Sequence, residues 1–421
     1  MANHLAQVLR LSLLPLVLIL SACSQEQGSA PAGPGSAASP AAGEETSASK
    51  PIVVAVAAPM TGDSSEFGAQ IKMAVDIAAE ELNAGGGIKG RPVQVLFEDD
   101  AGNPAEAQSV ATKIASNPDV LAVIGHFLSS CSLAARSAYA EAGIVMLTPA
   151  STNPAVTKNT DYVFRNIFTD DFQGQSLARY AATILNVRKV AILFDNDDYG
   201  QGLKESFKQK GQSLGMTVLN ETAYSKDTND FRSQLTTIRG YQPEIILVAG
   251  LYKHAAVIAK QARELGIQTP LLGGDGLFSQ QFLDLAGPAA EGTYVSCPFL
   301  FDLGGERART FAEKYRARYH SEPGAWAALG FDAFQLIVEA IEKNGPSRDA
   351  IHRYLKGVNS PATAFEGITG KTFFDREGNC RRPIHMAVVR GGRFVAAEKQ
   401  LDIEEETTAA TTLSQDARTS R

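Results

Sequence analysis

Apolar residues along this chain alternate between two periodicities. Residues 52–57 form an unbroken β-branched and alanine run. Residues 67–83 then place Ile71, Val75, Ala78 and Leu82 at the spacing of one helix face. A strand at 93–97 follows. Asn103-Pro104 next reads as an N-cap with proline at the first helical position, opening a helix with Ala107, Val110, Ala111 and Ile114 on one side. A strand at 120–124, a helix at 132–142 and a strand at 145–147 complete this series. A second series predicts helices at 172–185, 199–214, 231–239 and 253–265, with strands at 190–194, 217–224, 245–249 and 271–272. Two β-α series of similar length predict an α/β chain of two doubly wound parallel-sheet lobes. Beyond Pro298 the pattern is mainly helical (306–319, 325–342, 348–358) and ends in strands near 371–374, 384–389 and 393–396. These late segments are expected to return and complete both lobes, so that several strands of chain form the hinge.

The ends and the charge refine this picture. Arg10 precedes an apolar run at 11–20, too short to span a bilayer, which reads as an export signal over residues 1–22. Leu20-Ser21-Ala22-Cys23 resembles a bacterial lipobox, which implies diacylation of Cys23 and a firm lipid anchor. Residues 23–50, rich in Ala, Gly, Ser and Pro, then read as a flexible tether, and 401–421 as a disordered tail. Lobe 1 is expected at 51–169 plus 299–377, and lobe 2 at 170–298 plus 378–400. The net charge is −7 with no basic stripe, which argues against nucleic acid. With Cys23 lipidated, Cys131, Cys297 and Cys380 remain, of which at most two can pair; no cysteine or histidine spacing predicts a metal.

Two loops carry the candidate chemistry. Gly125-His126-Phe127-Leu128-Ser129-Ser130 and Thr148-Pro149-Ala150-Ser151-Thr152 each follow a predicted buried strand. They bring hydroxyls and free N–H groups to strand ends, where open α/β sheets bind ligands and where a small carboxylate is favoured. The plainer alternative is that Ser130, Ser132 and Thr152 cap helices. Gly85-x-Gly87-x-x-Gly90 follows a helix and precedes a strand, the reverse of a dinucleotide site, so it reads as a turn. His126 beside Ser129 and Ser130 lacks an evident third partner for hydrolysis. Asp195, Asp197 and Asp198 read as a solvated loop with a helix cap at Asp198.

Taken in order, several segments are similar to the leucine/isoleucine/valine-binding family of bacterial solute-binding proteins, of type I periplasmic fold. They are Ala58-Pro59-Met60-Thr61-Gly62, Asn83 to Gly90, Glu98-Asp99-Asp100, the two loops above, Tyr199-Gly200-Gln201-Gly202 and Gly273-Gly274-Asp275-Gly276. The resemblance implies ligand-binding roles for Ser129, Ser130, Ala150, Ser151 and Thr152. The Ser129 hydroxyl and the N–H groups of Ser130 and Thr152 would take an amino acid's α-carboxylate. The Ala150 carbonyl, the Thr152 hydroxyl and Asp275 would take its α-ammonium. Tyr199 and Tyr252 would reach in from lobe 2, and Phe67, Phe127, Leu128 and Trp326 would line the side-chain pocket. Gly102 and Leu128 stand where some members carry a disulfide, and an aspartate stands at 275 where glutamate is usual.

The same resemblance implies a function without chemistry on the ligand. The expected molecule is a monomeric lipoprotein facing the periplasm or cell surface. It would bind an amino acid, branched-chain aliphatic by preference, through lobe closure and pass it to an ABC permease with its ATPase subunits. No cofactor, metal, catalytic residue or nucleic-acid partner is expected. The alternative is a sensor of the same fold for an amide, a short-chain acid or an aromatic compound.

Overall fold

The computed structural model describes residues 50–401; the predicted signal, most of the tether with Cys23, and the tail beyond Leu401 lie outside the described residues. The first series runs β1 (Ile52–Ala58), α1 (Ser65–Ala84), β2 (Val93–Asp99), α2 (Pro104–Ala115), β3 (Val120–Gly125), α3 (Ser129–Glu141), β4 (Val145–Thr148) and β5 (Val163–Arg165). The second runs α4 (Asp170–Arg179), β6 (Lys189–Asp195), α5 (Asp198–Ser213), β7 (Thr217–Tyr224), α6 (Arg232–Tyr241), β8 (Ile245–Ala249), α7 (Tyr252–Glu264), β9 (Leu271–Gly273), α8 (Gln280–Ala286) and β10 (Tyr294–Cys297). The last comprises α9 (Glu306–Tyr319), α10 (Ala325–Asn344), α11 (Arg348–Gly357), β11 (Phe365–Gly367), β12 (Gly370–Thr372), β13 (His385–Arg390) and β14 (Arg393–Ala396).

The first sheet is parallel throughout, in the order β2-β1-β3-β4-β5. The second repeats that order in its parallel part, β7-β6-β8-β9-β10, and adds the antiparallel hairpin β13–β14 at the β10 edge. Both are therefore doubly wound with the order reversing between the first and third strands of each lobe, the place where such sheets bind ligands. Inner strands β1, β4 and β8 are buried along their whole length, as strands covered by helices on both faces must be, while edge strands β2 and β7 are partly exposed. Helices α9 and α10 pack on α1, and α11 lies against β3 and β4. The chain thus passes between the sheets after β5, after β10 and again before β13.

Local signals behave largely as the pattern predicts. Asn103 caps α2, its side chain accepting from the N–H of Ala105 (2.9 Å), with Pro104 at the first position. Most helix starts fall within two residues of the prediction, and two differences bear on the cleft. Helix α3 begins at Ser129 rather than 132, and Asp197, not Asp198, caps α5 by accepting from Gly200 N–H (2.7 Å). Cys131, Cys297 and Cys380 are all buried and unpaired, so no disulfide forms among the described residues. Gly102 and Leu128 do lie side by side: a Cβ at 102 would sit 3.2 Å from Leu128 Cδ1.

At the end of β3 the backbone leaves no room for a side chain. Gly125 has φ +134°, and a Cβ there would fall 1.9 Å from the Ala57 carbonyl oxygen of β1. Gly125→Ala is expected to lower stability by more than about 1 kcal/mol, read as a drop in the urea midpoint with unchanged slope.

Candidate functional site

The loops that follow β3, β4, β6, β8 and β9 converge between the two sheets. After β3 the chain turns at His126 and Phe127 and enters α3 at Ser129, with Leu128 at the cap position and no side chain closing the helix end. The first N–H groups of α3 are thus left for a ligand, with the positive end of the helix dipole behind them. Neither Ser130 nor Thr152 caps a helix through its side chain, and Ser132 instead shares a hydrogen bond with the Ser151 hydroxyl (2.7 Å).

The turn after β4 is pinned to the turn after β3. Thr148 Oγ1 donates to the His126 carbonyl (2.7 Å) and accepts from Ser151 N–H (2.9 Å), while the Ser151 hydroxyl donates to the Phe127 carbonyl (2.9 Å). From below, the buried Arg165 guanidinium donates through Nη1 to the Ser151 carbonyl (2.6 Å) and through Nη2 to the Asn153 carbonyl (2.8 Å). Asn153 N–H in turn donates to Ser129 Oγ (3.2 Å), which ties the two turns at the cleft surface.

Lobe 2 supplies a buried acid. Asp275 is 2 % exposed, and burial pushes its carboxyl up to about 6. The Tyr199 hydroxyl donates to Asp275 Oδ1 (2.8 Å) and accepts from Gly276 N–H (3.2 Å), so the tyrosine sets the carboxylate's position. Phe67 stacks on Phe127 (centroids 4.4 Å apart), and Trp326 meets both edge-on at 5.6 and 4.9 Å, forming an aromatic wall at one end of the cleft.

The lobes are closed on each other. The Tyr252 hydroxyl donates to the Asp63 carbonyl (2.7 Å), Lys253 Nζ pairs with Asp63 Oδ1 (2.6 Å), and Asn153 Nδ2 donates to the Asp198 carbonyl (2.6 Å). Glu66 accepts from the Ser279 hydroxyl and from Gln280 N–H (3.2 Å). The cavity left between them measures about 20 Å³, near the size of one water. It is lined by Phe127, Leu128, Ser129, Ala150, Thr152, Tyr199, Asp275 and Trp326, together with Leu251 and Gly276, which the sequence reading missed. Leu251 directly precedes the expected Tyr252 and follows β8; its position at a strand end was the available signal. Ser130, Ser151, Phe67 and Tyr252 do not line the cavity. The Ser151 hydroxyl is committed to backbone behind the turn, Tyr252 to the cleft rim, and Phe67 backs Phe127 and Trp326. A larger solvent-open groove of about 420 Å³ on α1, α9 and α10 is edged by Glu81, Glu306, Arg307 and Lys314, charges that stay in water.

His126 is not part of a serine-nucleophile arrangement. Its Nδ1 faces Asp100 Oδ2 (2.7 Å) and its Nε2 faces the Tyr139 hydroxyl (3.0 Å), which occupies both ring nitrogens deep in lobe 1. Asp170, at the start of α4, was overlooked. It is fully buried, neither of its carboxylate oxygens has a hydrogen-bond partner, and burial pushes its carboxyl well above the usual range.

Two lobes of identical sheet order, closed over a small polar cleft at their strand ends, define a bilobal solute-binding protein. The family described as periplasmic binding protein matches residues 51–393. An "Amino acid binding protein" of Pseudomonas aeruginosa is 32 % identical over 80 % of this chain and 90 % of its own. "Leu/Ile/Val-binding protein homolog 2" of Brucella abortus is 36 % identical over 78 % of this chain and 87 % of its own. The crystal structure of the branched-chain amino acid transporter substrate-binding protein LivJ from Streptococcus pneumoniae, in complex with isoleucine, is 31 % identical. It superposes with a TM-score of 0.77 over 83 % of this chain and 99 % of that one. The chain belongs to the periplasmic binding protein family, in its leucine/isoleucine/valine-binding branch. It is a solute-binding protein rather than an enzyme, and its family works outside the cytoplasm.

Because the folded-state pKa of Asp275 lies above its unfolded value, its contribution favours the fold at low pH and is lost as pH rises through about 6. Asp275→Asn is therefore expected to melt higher than the parent at pH 7, by up to about 3 kcal/mol in stability, with the gap closing toward pH 4. Thermal melts of the ligand-free proteins across that range measure it.

Proposed function

We propose that the cleft binds a free aliphatic amino acid, branched-chain by preference, and that this chain is the lipid-anchored receptor of an ABC importer. One observation carries the reading. An uncapped helix N-terminus with Ser129 faces a buried, tyrosine-held Asp275 across the same cavity. A zwitterion removed from water requires both charges matched, and these groups have the right signs. The α-carboxylate takes the Ser129 hydroxyl and the N–H groups of Ser130 and Thr152. The α-ammonium donates to the Ala150 carbonyl, the Thr152 hydroxyl and Asp275. Phe127, Leu128, Leu251 and Trp326 receive the aliphatic side chain, backed by Phe67. The isoleucine complex of the LivJ relative supports this choice of ligand class.

The lobes in this reading are 51–169 with 299–377, and 170–298 with 378–400. Ligand docks on the first, and the second closes by hinge motion, adding Tyr199, Tyr252 and Asp275. The closed form is what the permease and its ATPase subunits recognise. Cys23, diacylated, ties the monomer to the membrane through the flexible 23–50 segment, facing the periplasm or cell surface.

Calorimetry of the purified chain with leucine, isoleucine, valine, threonine and alanine tests this directly; absence of heat with every one of them removes the proposal. Asp275→Ala is expected to weaken binding by about 2–5 kcal/mol, since it leaves a buried ammonium unpaired. Affinity of the parent for its best ligand should also rise with pH through about 6 and then level off, because only the ionised Asp275 pairs with an ammonium. A flat profile between pH 5 and pH 7.5 takes Asp275 out of the site.

A further inference from the structure

Asp170 is a buried acid that the cleft described so far does not use. Both its oxygens lack a hydrogen-bond partner, a rare state for buried acceptors. Its backbone N–H donates to the Thr152 carbonyl (2.8 Å), so the first turn of α4 is fastened to the ligand-facing turn. Of the groups around its side chain, the Thr152 hydroxyl exerts the largest pull against the effect of burial, although no hydrogen bond is closed between them.

Neighbouring donors do not reach the carboxylate. The Nη atoms of Arg165 go to the Ser151 and Asn153 carbonyls and the Thr157 hydroxyl; its Nε is buried without a partner, as are both Asp170 oxygens, so the two side chains are not hydrogen-bonded to each other. On the lobe 2 side, Gly202 of α5 has no side chain; a Cβ there would stand 2.7 Å from Asp170 Oδ2. That glycine leaves the carboxylate its space, at the point where Asn153 reaches across to the Asp198 carbonyl.

The chemistry of the hydroxyl decides what the acid is for. An ammonium only donates, whereas a threonine hydroxyl has one proton and two lone pairs. To accept from an ammonium, Thr152 must send its own proton away from the cavity. We propose that Asp170 is the acceptor for the Thr152 hydroxyl proton, and that it thereby orients a Thr152 lone pair toward the ligand's α-ammonium. Asp170 is on this account a positioning residue that never touches the ligand. The inference rests on the amino-acid reading given above and adds to it a residue on the hinge side of α4.

The test compares leucine with 4-methylpentanoate, the same molecule without its ammonium, by calorimetry on the full chain. Asp170→Ala is expected to weaken leucine binding about tenfold or more while leaving 4-methylpentanoate within about threefold of the parent. In a Thr152→Val background, Asp170→Ala should add nothing further, because the hydroxyl it serves is gone. Asp170→Asn, which retains a carbonyl acceptor, should recover most of the leucine affinity. If Asp170→Ala shows no cooperative melt, Asp170→Leu fills the space without an acceptor and takes its place. Equal loss of both ligands, full additivity with Thr152→Val, no loss at all, or an Asp170→Asn as weak as Asp170→Ala each overturns the inference. A parent chain that binds no amino acid overturns the underlying reading as well. A parent that binds leucine while the variants show no ammonium-selective loss overturns this step alone.

Discussion

The cleft depends on one guanidinium held out of water. Arg165 ends β5, the last strand of the first sheet, immediately before the chain leaves for lobe 2. Burial draws its pKa down to about 10, yet it stays charged at neutral pH. Its Nη atoms hold two carbonyls of the 151–153 turn. A loop carrying so many polar backbone groups would not stay buried without such partners. The arginine thus turns a flexible connection into a rigid shelf, and the cleft hydroxyls stand on that shelf.

The two lobes solve the same problem with the same strand order, but they contribute opposite charges. Lobe 1 offers a helix end and hydroxyls, which suit an anion. Lobe 2 offers Asp275, which suits a cation. On the proposed reading, a molecule with both charges is fully matched only when the lobes meet, which couples recognition to closure. Within lobe 2, glycines let the loops that carry Tyr199 and Asp275 pack closely. Gly276 has the Gly250 carbonyl 2.6 Å from where a Cβ would stand, and Gly274 has the Tyr199 hydroxyl at 2.4 Å.

Much of this could be read along the chain, and the failures have physical causes. Strands such as β1 and β8 announce themselves because helices cover both their faces, which forces unbroken apolar runs. The fifth strands, β5 and β10, were missed: Val163–Arg165 and Tyr294–Cys297 are short and carry arginine or serine among few apolar residues. The start of α3 was placed late because Ser129 and Ser130 are weak helix formers that yield to tertiary packing. The residues that line the cavity were mostly recoverable from strand-end loops and from family resemblance. That Ser151 faces backbone, or that Asp170 stands without a partner, depends on residues distant in sequence, and no local pattern encodes it.

The bridges from Asp63 and Glu66 to α7 and the start of α8 have a kinetic consequence. They close the rim with the protein's own groups and leave an interior no larger than a water molecule. An amino acid is far larger than that space. On the proposed reading, loading requires these contacts to break, which ties the filling of the cleft to the opening of its rim.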